Sequence, residues 1–181
     1  MTIASAEEVI AFWRDAGQDR WFKPDAGFDA QIRERFLGTH EAAAAGRLDE
    51  RQQTADGTLA LLILLDQFPR NMFRGDARSF ATDARALALA KRAIDKGMDA
   101  KLPPQQRAFI YLPFQHSEDA ADQARSVALF TALGNPLNLD FALRHQTVVD
   151  RFGRFPHRNG TLGRDSTDDE RAYLKTAATP F

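Results

Sequence analysis

The stretch Thr58–Asn71, TLALLILLDQFPRN, decides the fold. Its first half holds the run Leu59–Leu65, in which every residue is apolar. A helix that is apolar on all sides must be buried on all sides. We therefore predict that a helix over Thr58–Gln67 forms the centre of the core. The run is far too short for a membrane span, which needs roughly 20 apolar residues.

A polar segment leaves this core directly, because Asp66 and Gln67 precede Phe68-Pro69 and Arg70 and Asn71 follow it. Proline lacks an N–H and disfavours helix in the residue before it, so Phe-Pro predicts the end of the helix. An aspartate near a helix C-terminus is unfavourable unless a cation pairs with it. We therefore predict an internal Asp66–Arg70 pair and count four candidate ligand-binding residues here: Asp66, Gln67, Arg70 and Asn71.

The polar segment has an echo at Val148–Asn159, VVDRFGRFPHRN. Both stretches have two aliphatic residues, an aspartate, a polar residue and a phenylalanine, and both continue to Phe-Pro and Arg-Asn. The two could be independent helix ends, or two ends that meet around one shared polar pocket. The echo predicts a second internal Asp–Arg pair. It also adds four candidate ligand-binding residues: Arg151, Arg154, His157 and Arg158.

His145 lies just before the echo, on a helix predicted from about Asn138. Phe141, His145, Val148 and Phe152 follow one another by four, three and four residues, which places them on one inward face. A buried imidazole needs hydrogen-bond partners. His145 is thus either a core histidine bonded to a backbone carbonyl or a ligand or base. His40, on another helix, receives no role.

A third polar segment follows a helix that opens at Pro103-Pro104 and reaches Pro113, which either stops or kinks it. Its candidate ligand-binding residues are Tyr111, Gln115, His116 and Glu118. The alternative is that these residues cap helix ends, with Ser117 as the N-cap of the next helix. His116 and His145 are the two candidate catalytic residues.

The other helices are predicted from amphipathic spacing and from capping residues over 5–17, 28–45, 76–96, 119–133 and 168–175. No stretch alternates apolar and polar residues as a strand would. The fold is therefore predicted to be all-α, as a single domain over residues 1–181. Short turns between helices predict stacked antiparallel hairpins, 58–67 with 79–96 and 104–116 with 119–133, in a repeat-like superhelix.

Composition limits the classes of function. The 181 residues carry a net charge of −1 and contain no cysteine. A near-neutral chain offers no general surface for nucleic acid or anionic membranes. The lack of cysteine excludes disulfides and thiolate chemistry, and with a polar, acidic start it predicts a cytoplasmic protein. Phosphate-binding glycine loops and the HExxH and GxSxG motifs are absent, so we predict no cofactor and no metal.

Three motifs carry a family resemblance: LDQFPRNMFRG (65–75), YLPFQHSED (111–119) and RFGRFPHRNGTLGRDST (151–167). With these motifs in this order, nearly the whole chain resembles the bacterial helical proteins catalogued as domain of unknown function 924. Those proteins are grouped with tetratricopeptide-like folds. The resemblance implies a tetratricopeptide-like helical protein of the bacterial cytoplasm. It implies no substrate, cofactor or catalytic residue.

Two functions follow. The first is a binding or scaffold module for a protein or peptide partner, because stacked helical hairpins form binding surfaces. The second is a small-molecule-binding protein or enzyme for a carboxylate or phosphate ligand. Arg70, Arg151, Arg154 and Arg158 would then clamp the anion. His145 or His116 would carry the proton, oriented by Asp66 or Glu118. The oligomeric state is not predicted.

Overall fold

The computed structural model describes residues 2–176, which form helices and turns with no strand and confirm the all-α prediction. The α-helices are α1 (Ala6–Ala16), α2 (Gln18–Trp21), α3 (Ala26–Ala44), α4 (Ala55–Leu62), α5 (Phe68–Met72), α6 (Asp83–Asp95), α7 (Pro104–Gln115), α8 (Ala120–Leu133), α9 (Pro136–Phe152) and α10 (Asp168–Thr176). A π-helix covers Ile63–Gln67, and 3-10 turns cover Asp49–Gln53, Ala77–Ser79, Asp99–Lys101 and Pro156–Arg158.

The contacts of the chain fall into two compact units, Met1–Pro113 and Phe114–Phe181. The single domain predicted over residues 1–181 stays a prediction, and so does the tetratricopeptide-like superhelix.

The first unit is built around α4 and the π-helix, as the apolar run predicts. Every residue of Leu59–Leu65 is at most 2% exposed. The helix begins earlier than predicted, because the Thr54 hydroxyl caps it by accepting the Gly57 N–H at 3.0 Å. It packs against α1 and α6. Burial on every side explains why no polar stripe interrupts this run.

The predicted helix end at Phe68-Pro69 is wrong. The chain instead widens into the π-helix and continues as α5, with Pro69 in its first turn. The Phe68 N–H donates to Ile63 O, five residues back. The α-type donor of the Leu64 carbonyl would be this same Phe68 N–H, and its π-type donor would be Pro69, which has no N–H. The Leu64 carbonyl therefore loses both donors.

Side chains from elsewhere in the unit satisfy the carbonyls of this turn. His40 Nδ1 lies 2.8 Å from Leu64 O, and the Thr82 hydroxyl donates to Leu65 O. A carbonyl only accepts hydrogen bonds, so Nδ1 of His40 carries the proton. Buried backbone groups without partners are costly. His40 therefore has a structural role that its sequence context does not reveal.

The second unit is centred on α8 and α9, which pack along each other. Val148, Val149 and Phe155 form its buried cluster, with Phe152 and Tyr173 against it. α9 ends at Phe152, and its C-cap is Gly153, whose φ of 67° is left-handed. The second Phe-Pro pair therefore follows a helix end instead of making one.

The inward face predicted for α9 is only partly correct. His145 and Val148 are buried, but Phe141 is 39% exposed. The helix also begins at Pro136 instead of Asn138. The stripe is thus covered in the C-terminal half of α9 and exposed in its N-terminal half.

The third polar segment lies at the end of α7. The helix does not stop at Pro113, since it continues to Gln115. The N-cap of α8 is Asp119, whose carboxylate accepts the N–H groups of Ala121 and Asp122, so the assignment of Ser117 is wrong. The Ser117 hydroxyl instead donates to Asp122 at 3.0 Å.

Candidate functional site

The first polar cluster surrounds Asp66, whose side chain is 1% exposed. Gln67 Nε2 donates to Asp66 Oδ2 at 2.5 Å, and Arg70 Nη1 lies 3.4 Å from Asp66 Oδ1. The other partner of Arg70 is Asp83, which accepts from both terminal nitrogens at 3.0 Å. The predicted Asp66–Arg70 pair is therefore present, as part of a larger carboxylate–guanidinium arrangement.

The charge of Arg70 is held firmly. Burial alone would lower its pKa, but the Asp66 and Asp83 carboxylates outweigh burial and raise the pKa above its ordinary value. A guanidinium held by two carboxylates is already neutralised inside the protein. Arg70 thus fastens the π-helix and α5 to the start of α6.

The two other candidates of this unit have partners of their own. Asn71 Nδ2 donates to Asp29 Oδ1 at 2.8 Å, which ties α5 to α3. The Tyr111 hydroxyl donates to Asp99 Oδ2 at 2.7 Å. Burial and this hydrogen bond both raise the pKa of Tyr111. A phenol with a raised pKa keeps its proton and serves as a donor.

The second polar cluster lies in the second unit, around the ring of Phe155. The His145 ring meets it edge-on with 5.5 Å between centroids, and His157 lies 5.7 Å away. The Arg158 guanidinium lies over the same ring, 4.6 Å from its centroid. His116 stands 6.3 Å from His145. The unit thus brings together four predicted site residues: His116 from the turn after α7, His145 from α9, and His157 and Arg158 from the turn at Pro156–Arg158.

His145 is a core histidine held in one tautomer. Its side chain is buried, and Nδ1 lies 2.8 Å from the Phe141 carbonyl, which can only accept. Burial first, and then His116, lower the pKa of His145 to about 2, with smaller contributions from Arg158 and His157. A proton carrier works best with a pKa near the operating pH. His145 is therefore a neutral hydrogen-bonding group and a poor general base.

Glu118 holds the loop after α9. It accepts from Arg164 Nη1 at 2.7 Å and Nη2 at 2.9 Å, and from the Phe155 N–H at 2.8 Å. Burial alone would raise the pKa of Glu118, but these hydrogen bonds outweigh burial and lower it. Sequence reasoning missed Arg164, although it lies within the third family motif.

Arg154 and Arg151 fasten α10 to the end of α9. Arg154 donates to both carboxylate oxygens of Glu170, at 2.7 and 2.9 Å, and Arg151 lies 2.7 Å from Asp169. The hydrogen bonds from Arg154 are the main cause that lowers the pKa of Glu170 to about 2. Arg151 and Arg154 therefore do not form the second internal Asp–Arg pair that the sequence predicts. Their partners lie on α10.

Glu170 also closes a capping box at the start of α10. Its carboxylate accepts the Thr167 N–H at 2.7 Å, and its own N–H donates to the Thr167 hydroxyl at 3.2 Å. One carboxylate thus joins α10, its N-cap and Arg154.

Gln123 is a further residue that sequence reasoning missed. It is fully buried on α8, and its Nε2 donates to Gln115 O at 2.8 Å and to Ser117 O at 2.6 Å. These carbonyls belong to the end of α7 and the turn after it, where helical donors run out. The candidate Gln115 thus lies next to a side-chain cap, and no sequence signal identifies Gln123.

Each unit therefore brings its own candidates together: Asp66, Gln67 and Arg70 in the first, and His116, His145, His157 and Arg158 in the second. That the two Phe-Pro segments meet around one shared polar pocket stays a hypothesis. Across residues 2–176, no group of three or more His, Cys, Asp or Glu is placed to hold a metal ion. Over the same residues, no helix is long and apolar enough to cross a membrane.

The fold and these clusters define an all-helical protein fastened by internal carboxylate–guanidinium pairs. The chain belongs to the DUF924 family, described as a bacterial protein of unknown function, whose profile matches residues 9–178. It is similar to the solved structure of a protein of unknown function, ATU0120 from Agrobacterium tumefaciens. That similarity has a TM-score of 0.92 and 47% sequence identity, and covers 95% of this chain and 97% of the other. The comparison with curated proteins gave no match.

The lowered pKa of His145 predicts how stability depends on pH. Between the unfolded value, about 6.5, and the folded value, the unfolded chain binds a proton that the folded chain does not. Stability therefore falls as the pH falls through this window. Between pH 7 and pH 5, we expect the wild type to lose about 2 kcal/mol more than His145→Asn, whose amide can keep the bond to Phe141 O.

The measurement is urea unfolding of both proteins across that pH range. The pKa of His40 is also lowered, chiefly by burial. Both histidines therefore contribute to the pH dependence of wild-type stability, and the difference between the two proteins isolates the contribution of His145. If the stability of the two proteins changes with pH in parallel, His145 binds its proton as readily in the folded protein as in the unfolded chain, which would contradict the prediction.

Proposed function

We propose that this protein is a cytoplasmic binding module for a protein or peptide partner. The observation that carries the proposal is a pair of exposed apolar residues on one face of the N-terminal half of α9, where Leu137 is 56% and Phe141 39% exposed. The two lie one helical turn apart on the stripe that continues into buried Val148. Large apolar side chains that share one exposed helix face are typical of helix-docking surfaces.

The internal pairing of the arginines supports this proposal over an anion-binding pocket. Arg70, Arg151 and Arg154 each contact a carboxylate of the same unit. A carboxylate or phosphate ligand would have to displace these partners. The fourth arginine of the proposed clamp, Arg158, is buried against Phe155.

The state of His145 points the same way. A histidine whose pKa is lowered to about 2 is unsuited to the proton transfer that an enzyme would require of it. The absence of cysteine from the sequence supports the cytoplasmic assignment.

Site-specific photo-crosslinking in bacterial cells tests the proposal. A photoreactive phenylalanine derivative replaces Leu137 in one variant and Asp150, an exposed residue of α9 outside the apolar stripe, in a control. We expect the probe at position 137 to give a discrete crosslinked product, and we expect Phe141→Ser to weaken it. The control should not give that product.

The same products from both positions, or no product from position 137, would count against a binding face on α9. Circular dichroism of each purified variant checks that the helices are retained.

A further inference from the structure

The exposed apolar pair on α9 is bordered by one acidic and one basic side chain. Asp140 and Arg144 are 50% and 61% exposed, and Arg144 Nη2 lies 2.7 Å from Asp140 Oδ2. The Arg144 guanidinium also lies over the Phe141 ring, 5.7 Å from its centroid. We call Leu137, Asp140, Phe141 and Arg144 the α9 patch.

We propose that the partner of the α9 patch is a second copy of this chain, an inference that rests on the function proposed above. A closed dimer brings the same surface of both subunits together, so the surface must complement itself. A partner of strongly acidic or basic character would be matched by charges of one sign. The α9 patch carries one charge of each sign, a pattern that an antiparallel copy of the same helix can complement.

The geometry of an antiparallel helix pair makes this match concrete. A twofold axis level with Ala142 places Asp140 of each copy opposite Arg144 of the other, because the two residues lie equally far from that level. This twofold axis is perpendicular to the plane that contains the two helices. A given flank of one helix therefore lies on the same side of that plane as the same flank of the other. Both Asp140–Arg144 pairs can therefore form between the copies.

The apolar part of the α9 patch fits the same axis. Phe141 is one residue from the level of Ala142, so at 1.5 Å of rise per residue the two copies of Phe141 lie about 3 Å apart along the helix direction. The rings can then pack against each other. Leu137 of each copy lies farther out, toward the C-terminal half of the other helix.

Charge changes on the purified chain test this inference by sedimentation equilibrium. We expect the wild type to sediment at twice its chain mass of 20.2 kDa. Arg144→Asp makes both charges of the patch acidic, and Asp140→Arg makes both basic. Each variant alone should be monomeric, because like charges would then face each other. Mixed in equal amounts, the two variants should restore the dimer mass.

A matched control uses another exposed ion pair of the same unit. Arg151 and Asp169 are 52% and 63% exposed, with 2.7 Å between Arg151 Nη2 and Asp169 Oδ1. Arg151→Asp and Asp169→Arg should each leave the dimer mass unchanged.

Three results would overturn the inference: a monomeric wild type, dimers of both single variants, or a mixture that stays monomeric. A monomeric wild type whose position 137 still crosslinks to a different protein would refute the second copy as partner and leave the proposed function standing. No crosslink at position 137 and no dimer would refute both.

Discussion

Arg70→Ala is expected to destabilise the protein by about 3 kcal/mol, because it removes the cation of a buried ion pair. Asp66 is 1% exposed, so its charge cannot be stabilised by solvent when Arg70 is lost. Asp83 loses both of the hydrogen bonds that it accepts from the Arg70 guanidinium. The measurement is the free energy of unfolding from urea denaturation, monitored by circular dichroism.

Arg74→Ala is the matched control. Arg74 binds the Asp29 carboxylate through two nitrogens, at 2.9 and 3.1 Å, so its hydrogen bonding resembles that of Arg70 with Asp83. Its side chain is 46% exposed, against 22% for Arg70. Solvent can replace its interactions, and we expect a loss of at most about 1 kcal/mol. Equal small losses for both variants would show that Arg70 does not act as an internal lock.

The second large effect is expected at the π-helix. His40→Leu should cost about 1–3 kcal/mol, because it leaves the Leu64 carbonyl buried without its donor. Pro69→Ala supplies a backbone N–H beside that carbonyl. In the double variant His40→Leu/Pro69→Ala, the cost should therefore be smaller than the sum of the single costs, by about 1 kcal/mol.

Pro24→Ala provides the control for this cycle. Pro24 is an exposed proline of the same unit, outside the helices. Combined with His40→Leu, it should give additive losses, to within about 0.5 kcal/mol. Additivity in the Pro69 cycle as well would contradict the role of His40 as the substitute donor.

Sequence reasoning located the core and one ion pair because both depend on short-range spacing. The run Leu59–Leu65 is apolar whichever way its helix faces, and Asp66 and Arg70 lie one turn apart on any helix. The inward position of His145 follows from the same periodicity. These features need no knowledge of what lies opposite them.

The sequence-based predictions that the structure contradicts depend on partners that are distant in the sequence. Proline normally ends a helix, but His40 lies 24 residues before the Leu64 carbonyl and satisfies it, so the helix continues. Arg154 pairs with Glu170 and Glu118 with Arg164, and a chain with 25 acidic residues gives no means of choosing these pairs. The exposure of Phe141 depends equally on which elements cover the start of α9, and periodicity carries no such information.

The measurement that tests the central claim most directly is thermal unfolding of the wild type and Arg154→Ala with inorganic phosphate. The claim is that the arginines of the polar segments hold the protein together and do not bind an anion. The general stabilising effect of phosphate acts on both proteins alike. We therefore predict that added phosphate raises both midpoints by the same amount, from a lower starting value in Arg154→Ala. A phosphate-dependent rise that appears in the wild type and is lost in Arg154→Ala would contradict the claim and establish an anion site.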